Sequence, residues 1–464
     1  MKSAAEIARD AAGAVVAGSP EAVAASWAFD SRTLEPGACF VALRDDRDGH
    51  EFVADAFSAG AAIALVSRPV EVVPPTGGAI VQVADVLTAL QAVARIERRA
   101  RADLRVVGVT GSTGKTSTKD LLAAVLAPLG CYASPESYNN EFGLPITLLN
   151  TPADAHVVVA EMGERFPGDV KALCEIARPE IGVVTNVGLA HAEHLGGAAG
   201  AAEVIGELID ALPGGGLAVL NADDEWTRGL EARAASSVTT VTVGSSPGAD
   251  YRIEAVELDA ELRPRFTLNG QTVEVPLHGE HQAGNAALAL AVAHRGFRIA
   301  LDEAASRLGS VRPARWRLEL HRSGNGVIVL NDAYNANPTS MGAALRSLAQ
   351  TETAGRRIAV LGDMRELGAY SGKAHAAIGR HAAELGIDIV IGVGVGGRQI
   401  ADAAIGPQVF TAPDAAAALE TAIETAEPGD SVLVKASRAV GLETVAEGLL
   451  ARDGSSAPQS GVPT

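Results

Sequence analysis

The stretch Thr110-Gly111-Ser112-Thr113-Gly114-Lys115-Thr116 follows an apolar run, and its residue types suit the binding of ATP phosphates. Gly111 and Gly114 allow the backbone to curl so that amides face phosphate oxygens. The helix expected to start at Lys115 adds a positive partial charge at its N-terminus. Lys115 can reach the β- and γ-phosphates, Thr116 carries a hydroxyl where a magnesium ligand belongs, and Ser117 follows at the helix start. The commonest spacing of such a loop places a glycine at position 109, where this chain has Val109.

Two further side chains extend this chemistry. Glu161 ends one apolar run (Ala155 to Ala160) and His191 follows another (Ile181 to Thr185). Parallel sheets gather such positions at their carboxyl edge, so Thr116, Glu161 and His191 are expected to share a metal site. Taken alone, Glu161 has a lesser alternative as a solvated strand end, and a lone histidine is more often structural than ligating.

The elements that must carry these residues fall into three stretches. Residues 1–102 mix short strands (Ala38 to Leu43, Ala62 to Val66, Ala79 to Val83) with helices (Phe52 to Ala59, Val86 to Arg101). The basic run Arg95 to Arg101 reads as a solvated helix end. Residues 103–312 alternate buried strands and helices, the pattern of a parallel sheet covered on both faces, with antiparallel alternation in Asp250 to Pro276. Residues 313–452 form a second α/β unit, with strands at Val327 to Leu330, Arg357 to Leu361, Ile387 to Ile391, Gln408 to Phe410 and Ser431 to Val434. The tail 453–464, rich in Gly, Ser and Pro, reads as disordered.

Composition narrows the partners. The chain has 464 residues, enough for two to four domains, and its 47% hydrophobic content is that of a globular protein. A net charge of −18 argues against nucleic acid or an anionic membrane as the main partner. Three well-separated cysteines offer neither a disulfide framework nor zinc spacing, which fits a reducing cytoplasm. No long uncharged apolar run suggests a membrane span, and the Ala-rich start does not read as a secretory signal.

Ordered motifs along nearly the whole chain resemble the Mur ligase family of cell-wall enzymes. They include Tyr138 to Pro145, Glu161-Met162-Gly163, Asn186 to His191, Gly279 to Ala286, Asn331 to Pro338, Val360 to Gly368 and Val434 to Arg438. The resemblance implies a small N-terminal α/β UDP-binding domain, a central P-loop ATPase domain and a C-terminal Rossmann-like α/β domain. Tyr334 to Pro338 and Leu361 to Met364 resemble the branch that joins D-alanyl-D-alanine to UDP-N-acetylmuramoyl-tripeptide. That implies ATP and Mg2+, an acyl-phosphate intermediate, a cytoplasmic setting and a monomer.

By the same resemblance, Thr110 to Ser117 with His281, Asn285, Arg315 and Asp332 would meet ATP. Thr116 and Glu161 would hold one magnesium, and His191 a second. Lys115, His191 and Lys435 would serve catalysis, Lys435 at the acyl phosphate or the dipeptide carboxylate. Ser31 and Arg32 would contact the UDP part, Asn139 and Asn140 the substrate, and Asn335 and Asn337 the dipeptide. The residues alone leave other readings open: turn residues before Pro338, a strand-end lysine, a helix-start histidine.

The pattern also departs from the family. Many members carry a carbamylated lysine bridging two magnesium ions, and the matching position here is Ile205. No lysine occurs between Lys171 and Lys373. Glu203 or a water could take its place. Arg44-Asp45-Asp46-Arg47 replaces a commoner Gly-Glu or Gly-Ala pair in the first domain. These departures keep two rivals in view: a nucleotide-binding paralogue with weak turnover, and a ligase for another carboxylate and amine. A GTPase is disfavoured, because no Asn-Lys-x-Asp motif is present.

Overall fold

The computed structural model describes residues 1–451, so the tail reading from 453 lies outside the described residues. Three main sheets occupy successive stretches of chain. The first has the strand order Ala14–Gly18, Ala79–Gln82, Ile63–Val66, Ala38–Val41, Ser26–Ala28. It is parallel except where Ala14–Gly18 runs against Ala79–Gln82.

The second sheet has nine strands and carries the phosphate loop. Its strand Arg105–Thr110 lies between Val157–Glu161 and Ile181–Val184, parallel to both. Cys131–Ala133 forms one edge beyond Val157–Glu161. On the other side follow Leu217–Asn221, Thr239–Gly244 and Tyr251–Leu258, all parallel. Pro264–Leu268 and Gln271–Glu274 then extend the sheet antiparallel. The chain leaves Arg105–Thr110 toward one edge and later returns on its other side, so this strand is the switch point where a crevice opens.

Alternation along Arg105–Thr110 sends side chains to both faces. Val106 packs with Val158, Ala160 and Leu208, while Val107 and Val109 pack with Leu121, Leu122 and Val125. Each fully buried valine contributes about 1.5–3 kcal/mol. Val109 is fully buried in this core, so the glycine missing from the loop's usual spacing is replaced by a core residue.

The third sheet has the order Glu319–Arg322, Ile328–Asn331, Ser431–Lys435, Arg357–Leu361, Ile389–Val393, Gln408–Ala412. Only its first pair is antiparallel.

The basic run Arg95 to Arg101 is not simply solvated. Arg98 is buried, donates to the carbonyl of Ala177 at 2.8 Å and pairs with Glu180 at 2.9 Å. Arg101 donates to the carbonyl of Ala155 at 2.6 Å. These guanidiniums fix the helix Val86–Ala100 against the nine-stranded unit, because carbonyls left without partners at strand and helix ends need donors. No helix among the described residues is long and apolar enough to cross a membrane.

Candidate active site

The phosphate loop is shaped by two glycines with positive φ. Gly111 has φ +133°, and a side chain there would meet Thr185 Oγ1 at 2.2 Å. Gly114 has φ +82°, and a side chain there would meet Asn285 Oδ1 at 2.6 Å. Gly114 supplies no side-chain cap to the helix Lys115–Leu126. The first-turn amides of that helix have no intrahelical acceptor, which suits an anion.

The loop is braced from the neighbouring strand. Asn186 accepts from the Thr113 amide at 3.0 Å and donates to the Thr113 hydroxyl at 2.7 Å. The Ser112 hydroxyl accepts from the Gly188 amide at 2.8 Å. Asn186 was expected only as part of a motif; its bracing of Thr113 emerges from the adjacency of the two strands. Thr110, at the end of its strand, is fully buried.

Lys115 does not hang free. Its ammonium donates to the Gly111 carbonyl and pairs with Glu164 at 2.9 Å. Glu164 has a fully buried side chain, and desolvation raises its pKa against the opposing pull of Lys115. Nothing in sequence spacing marked Glu164, which lies three residues beyond Glu161 on an irregular loop.

Glu161 is buried, and its Oε1 accepts from Asn139 at 2.8 Å. Its Oε2 is buried without a hydrogen-bond partner. A buried carboxylate oxygen lacking a donor is an oxygen ligand suited to a divalent cation. The Thr116 hydroxyl meets Arg317 Nη2 at 2.9 Å and lies 3.4 Å from the Ser137 hydroxyl. Among the described residues no cluster of three or more His, Cys, Asp or Glu side chains could hold a metal alone. His191, in a left-handed backbone conformation at φ +51°, pairs through Nδ1 with Glu366 of the third unit. Burial raises the Glu366 pKa, but His191 and Arg165 outweigh it and hold the carboxylate below its usual range.

Arg315 was expected to meet ATP, but the structure turns it away from the loop and brings Arg317, for which the sequence suggested no role, to Thr116 instead. Arg315 is 68% exposed, stacks over Trp316 and lies 3.9 Å from Glu447, away from the loop. Arg317, two residues on, lies over the Tyr334 ring and reaches Thr116. Trp316 and Leu318 both have positive φ, and this irregular backbone sets which arginine faces the cleft.

A cleft of about 580 Å³ separates the second and third units and is lined by Ser112 to Gly114, Ser117, His281, Asn285, Arg317, Asp332, Asn335, Asn337 and Lys435. Asn285 donates to Gln282 at 2.9 Å and packs on Gly114, so it supports the loop as well as facing the cleft. His281 borders open space at the start of helix Gln282–Ala291, and desolvation by the cleft walls lowers its pKa. Lys435 is buried and pairs with Asp332 at 2.6 Å, and it also donates to the Asn335 carbonyl at 2.7 Å. Its donors are thus turned to the 332–335 loop; desolvation lowers its pKa, while Asp332 works in the opposite direction.

Asn337 caps the helix Pro338–Gln350, as a turn residue before proline would, and its amide also donates to the Ser112 carbonyl at 3.1 Å. Asn335 Oδ1 accepts from the Ala336 amide at 2.9 Å. Asn140 accepts from the Gly143 amide at 2.9 Å and so shapes the start of helix Gly143–Leu149.

Ser31 and Arg32 lie on the loop after Ser26–Ala28, outside this cleft, with Arg32 paired to Asp30 at 2.6 Å. That loop begins beside Phe29, which packs on Tyr138 and Phe142 at centroid distances of 5.3 Å. Asn139 thus sits between the first unit and Glu161.

Ile205 is fully buried among Leu208, Val204 and Met162. Glu203 does not substitute for the missing lysine: its side chain is 80% exposed and pairs with Arg233.

Comparisons with known proteins agree with this layout. The family model for the Mur ligase middle domain matches residues 109–293, and that for the Mur ligase, glutamate ligase domain matches residues 316–438. The UDP-N-acetylmuramoyl-tripeptide–D-alanyl-D-alanine ligase of Mycobacterium tuberculosis (strain ATCC 25618 / H37Rv) is 39% identical, covering 97% of this chain and 98% of its own. The ligase of the same name from Bacillus subtilis (strain 168) is 36% identical, covering 91% and 92%. Among solved structures, MurF from Acinetobacter baumannii superposes with a TM-score of 0.84 at 29% identity, covering 97% of this chain and 98% of that one. MurF ligase from Thermotoga maritima, in complex with ADP, gives 0.76 at 28% identity, covering 91% and 96%. With a phosphate loop at the sheet's switch point, a third unit delivering Arg317 to it, and three-domain α/β relatives matched along almost their whole length, the chain belongs to the Mur ligase family.

Proposed function

We propose that this chain joins D-alanyl-D-alanine to UDP-N-acetylmuramoyl-tripeptide, with ATP converted to ADP and phosphate, in the synthesis of peptidoglycan precursors. The observation that carries this reading is likeness along almost the entire chain to ligases of that name, third unit included. The stretches 1–102, 103–312 and 313–452 correspond to UDP-substrate, ATP and C-terminal ligase domains in this account.

The chemistry follows from a poor leaving group. An oxygen of the tripeptide carboxylate attacks the γ-phosphorus, the bond to the β-phosphate oxygen breaks, and ADP leaves. The dipeptide amine then attacks the acyl carbon, loses a proton, and the tetrahedral adduct expels phosphate to leave the amide. Both steps place charge on oxygens, so fixed donors and cations supply the stabilisation.

Lys115 exchanges Glu164 for phosphate oxygens, and Arg317 turns from Thr116 to the transferring group. Thr116 and the free Oε2 of Glu161 are the oxygens that would hold Mg2+, and His191 is a further ligand candidate once it leaves Glu366. When bound, the cation supplies charge neutralisation on the phosphates. Ser31, Arg32 and Asn139 follow the path along which the UDP-peptide would lie, from the first unit toward Glu161. Closure of the second unit on the third excludes water from the acyl phosphate.

Purified protein with ATP, Mg2+, the UDP-tripeptide and D-alanyl-D-alanine is expected to give a product heavier by one dipeptide residue unit, with one phosphate per product. Phosphate release with other amines and none with the dipeptide would instead support a ligase for another pair.

A further inference from the structure

Lys119 is a buried cation that the phosphate chemistry leaves unused. It sits in the second turn of helix Lys115–Leu126. Its ammonium donates to the carbonyls of Ser134 and Glu136, both at 2.8 Å, and pairs with Asp120 at 2.9 Å. We propose that Lys119 is a positioning residue that clamps the loop 134–139 to the phosphate-binding helix and so holds the groups that meet the UDP-tripeptide; the assignment rests on the ligase reading above.

A lysine is a costly way to fill this place. Taking an ammonium out of water is unfavourable, and an apolar side chain would pack in the helix without that cost. What the ammonium supplies is donors for two carbonyls of another segment. Glu136 shows why that segment needs them. It is an exposed residue with φ +45°, in the left-handed region that a side chain disfavours. Such a conformation persists only where its surroundings impose it, and the Glu136 carbonyl is one of the two that Lys119 binds.

The clamped loop reaches three parts of the site. Ser137 Oγ lies 3.4 Å from the Thr116 hydroxyl and 3.3 Å from Arg317 Nη2. Asn139 donates to Glu161 Oε1 at 2.8 Å, and its carbonyl accepts from the Gly163 amide at 2.7 Å. Tyr138 packs on Phe29 of the first unit, just ahead of Ser31 and Arg32 in the chain. One buried side chain on the phosphate helix thus fixes the segment that joins Thr116 and Glu161 to the first unit. Asp120 completes the arrangement by neutralising Lys119 where both are withdrawn from solvent.

The test is steady-state kinetics on Lys119→Met/Asp120→Asn, which removes both charges and strands neither. Its KM for the UDP-tripeptide should rise about 10- to 100-fold, the scale of loss when binding groups are displaced by about an ångström, with the D-alanyl-D-alanine KM unchanged. Asp120→Asn alone keeps both carbonyl contacts and should keep the wild-type KM. Adding Glu136→Gly to the double variant should recover part of the KM, because glycine adopts the left-handed conformation without the clamp. Should the methionine variant not fold, Lys119→Gln/Asp120→Asn retains a shorter donor and should show a smaller shift of the same sign. A wild type that forms no dipeptide product overturns the ligase reading and this assignment together. A competent wild type whose folded double variant keeps the UDP-tripeptide KM overturns the assignment alone. So does a fall in kcat with every KM in place, which is what a loss of folded protein would give.

Discussion

Lys115 of the phosphate loop and Glu164 form an ion pair at 2.9 Å, in which the carboxylate is sealed from solvent. The loop's cation is thus neutralised by its partner, which phosphate would have to displace in the proposed reaction. Removing one member of a buried pair strands the other charge. Glu164→Gln is therefore expected to destabilise the nucleotide-free protein by about 3–5 kcal/mol. It should also enlarge the rise in Tm that ATP produces, since phosphate then relieves an unpaired ammonium. Thermal unfolding with and without nucleotide checks this; an unchanged nucleotide shift would contradict it.

Arg317, not Arg315, is the third-unit arginine that meets the phosphate loop. Arg317→Ala is expected to lower kcat by about 100-fold or more, the usual effect of losing one donor to transition-state charge. Arg315→Ala, at an exposed position, should change stability by no more than about 0.5 kcal/mol and leave turnover intact. Comparable losses in both variants would refute the assignment.

The position matched to the family's carbamylated lysine holds Ile205. Ile205 is packed in the core, and Glu203 points to Arg233 at the surface. Added bicarbonate is expected to leave the rate unchanged, measured by phosphate release in carbon-dioxide-depleted buffer. Marked stimulation would contradict this.

Asp430 is buried and accepts from the Arg356 amide and guanidinium, both at 2.7 Å, and from the Glu427 amide at 3.0 Å. Burial raises its pKa, but these donors outweigh it and hold the carboxyl below its ordinary range. A depressed folded-state pKa means that its stabilisation is complete above the unfolded value near about 4 and is lost as pH falls toward the folded one. Asp430→Asn should cost about 1.5–3 kcal/mol at pH 7 and progressively less in acid. Urea unfolding at several pH values measures this; parallel pH profiles for the two proteins would exclude it.

Apolar strands were legible in the sequence because buried parallel strands are continuous Val, Ile and Leu runs. Arg105–Thr110, Ile181–Val184 and Ser431–Lys435 all announce themselves in this way. An edge strand such as Glu319–Arg322 does not, since none of its four residues is buried and polar side chains are tolerated there. The phosphate loop was legible because its glycines and lysine are close in sequence. Glu164, Glu366 and Arg317 were not, because each acquires meaning only from a partner on another element. The two arginines flanking Trp316 are chemically alike, and only the positive φ at Trp316 and Leu318 distinguishes the one that faces Thr116. Lys435 was readable as a strand-end lysine near the site, but its pairing with Asp332 required the neighbouring strands Ile328–Asn331 and Ser431–Lys435 to be placed side by side.

The claim at the centre of this account is that the phosphate gathered by Lys115 passes to a peptide carboxylate. Its most direct test is a single-turnover reaction of UDP-tripeptide labelled with oxygen-18 in both oxygens of its reacting carboxylate, with ATP and D-alanyl-D-alanine. The account predicts that the released phosphate carries one labelled oxygen and the new amide retains the other. Unlabelled phosphate would show that water, not the carboxylate, receives the phosphoryl group, and would contradict it.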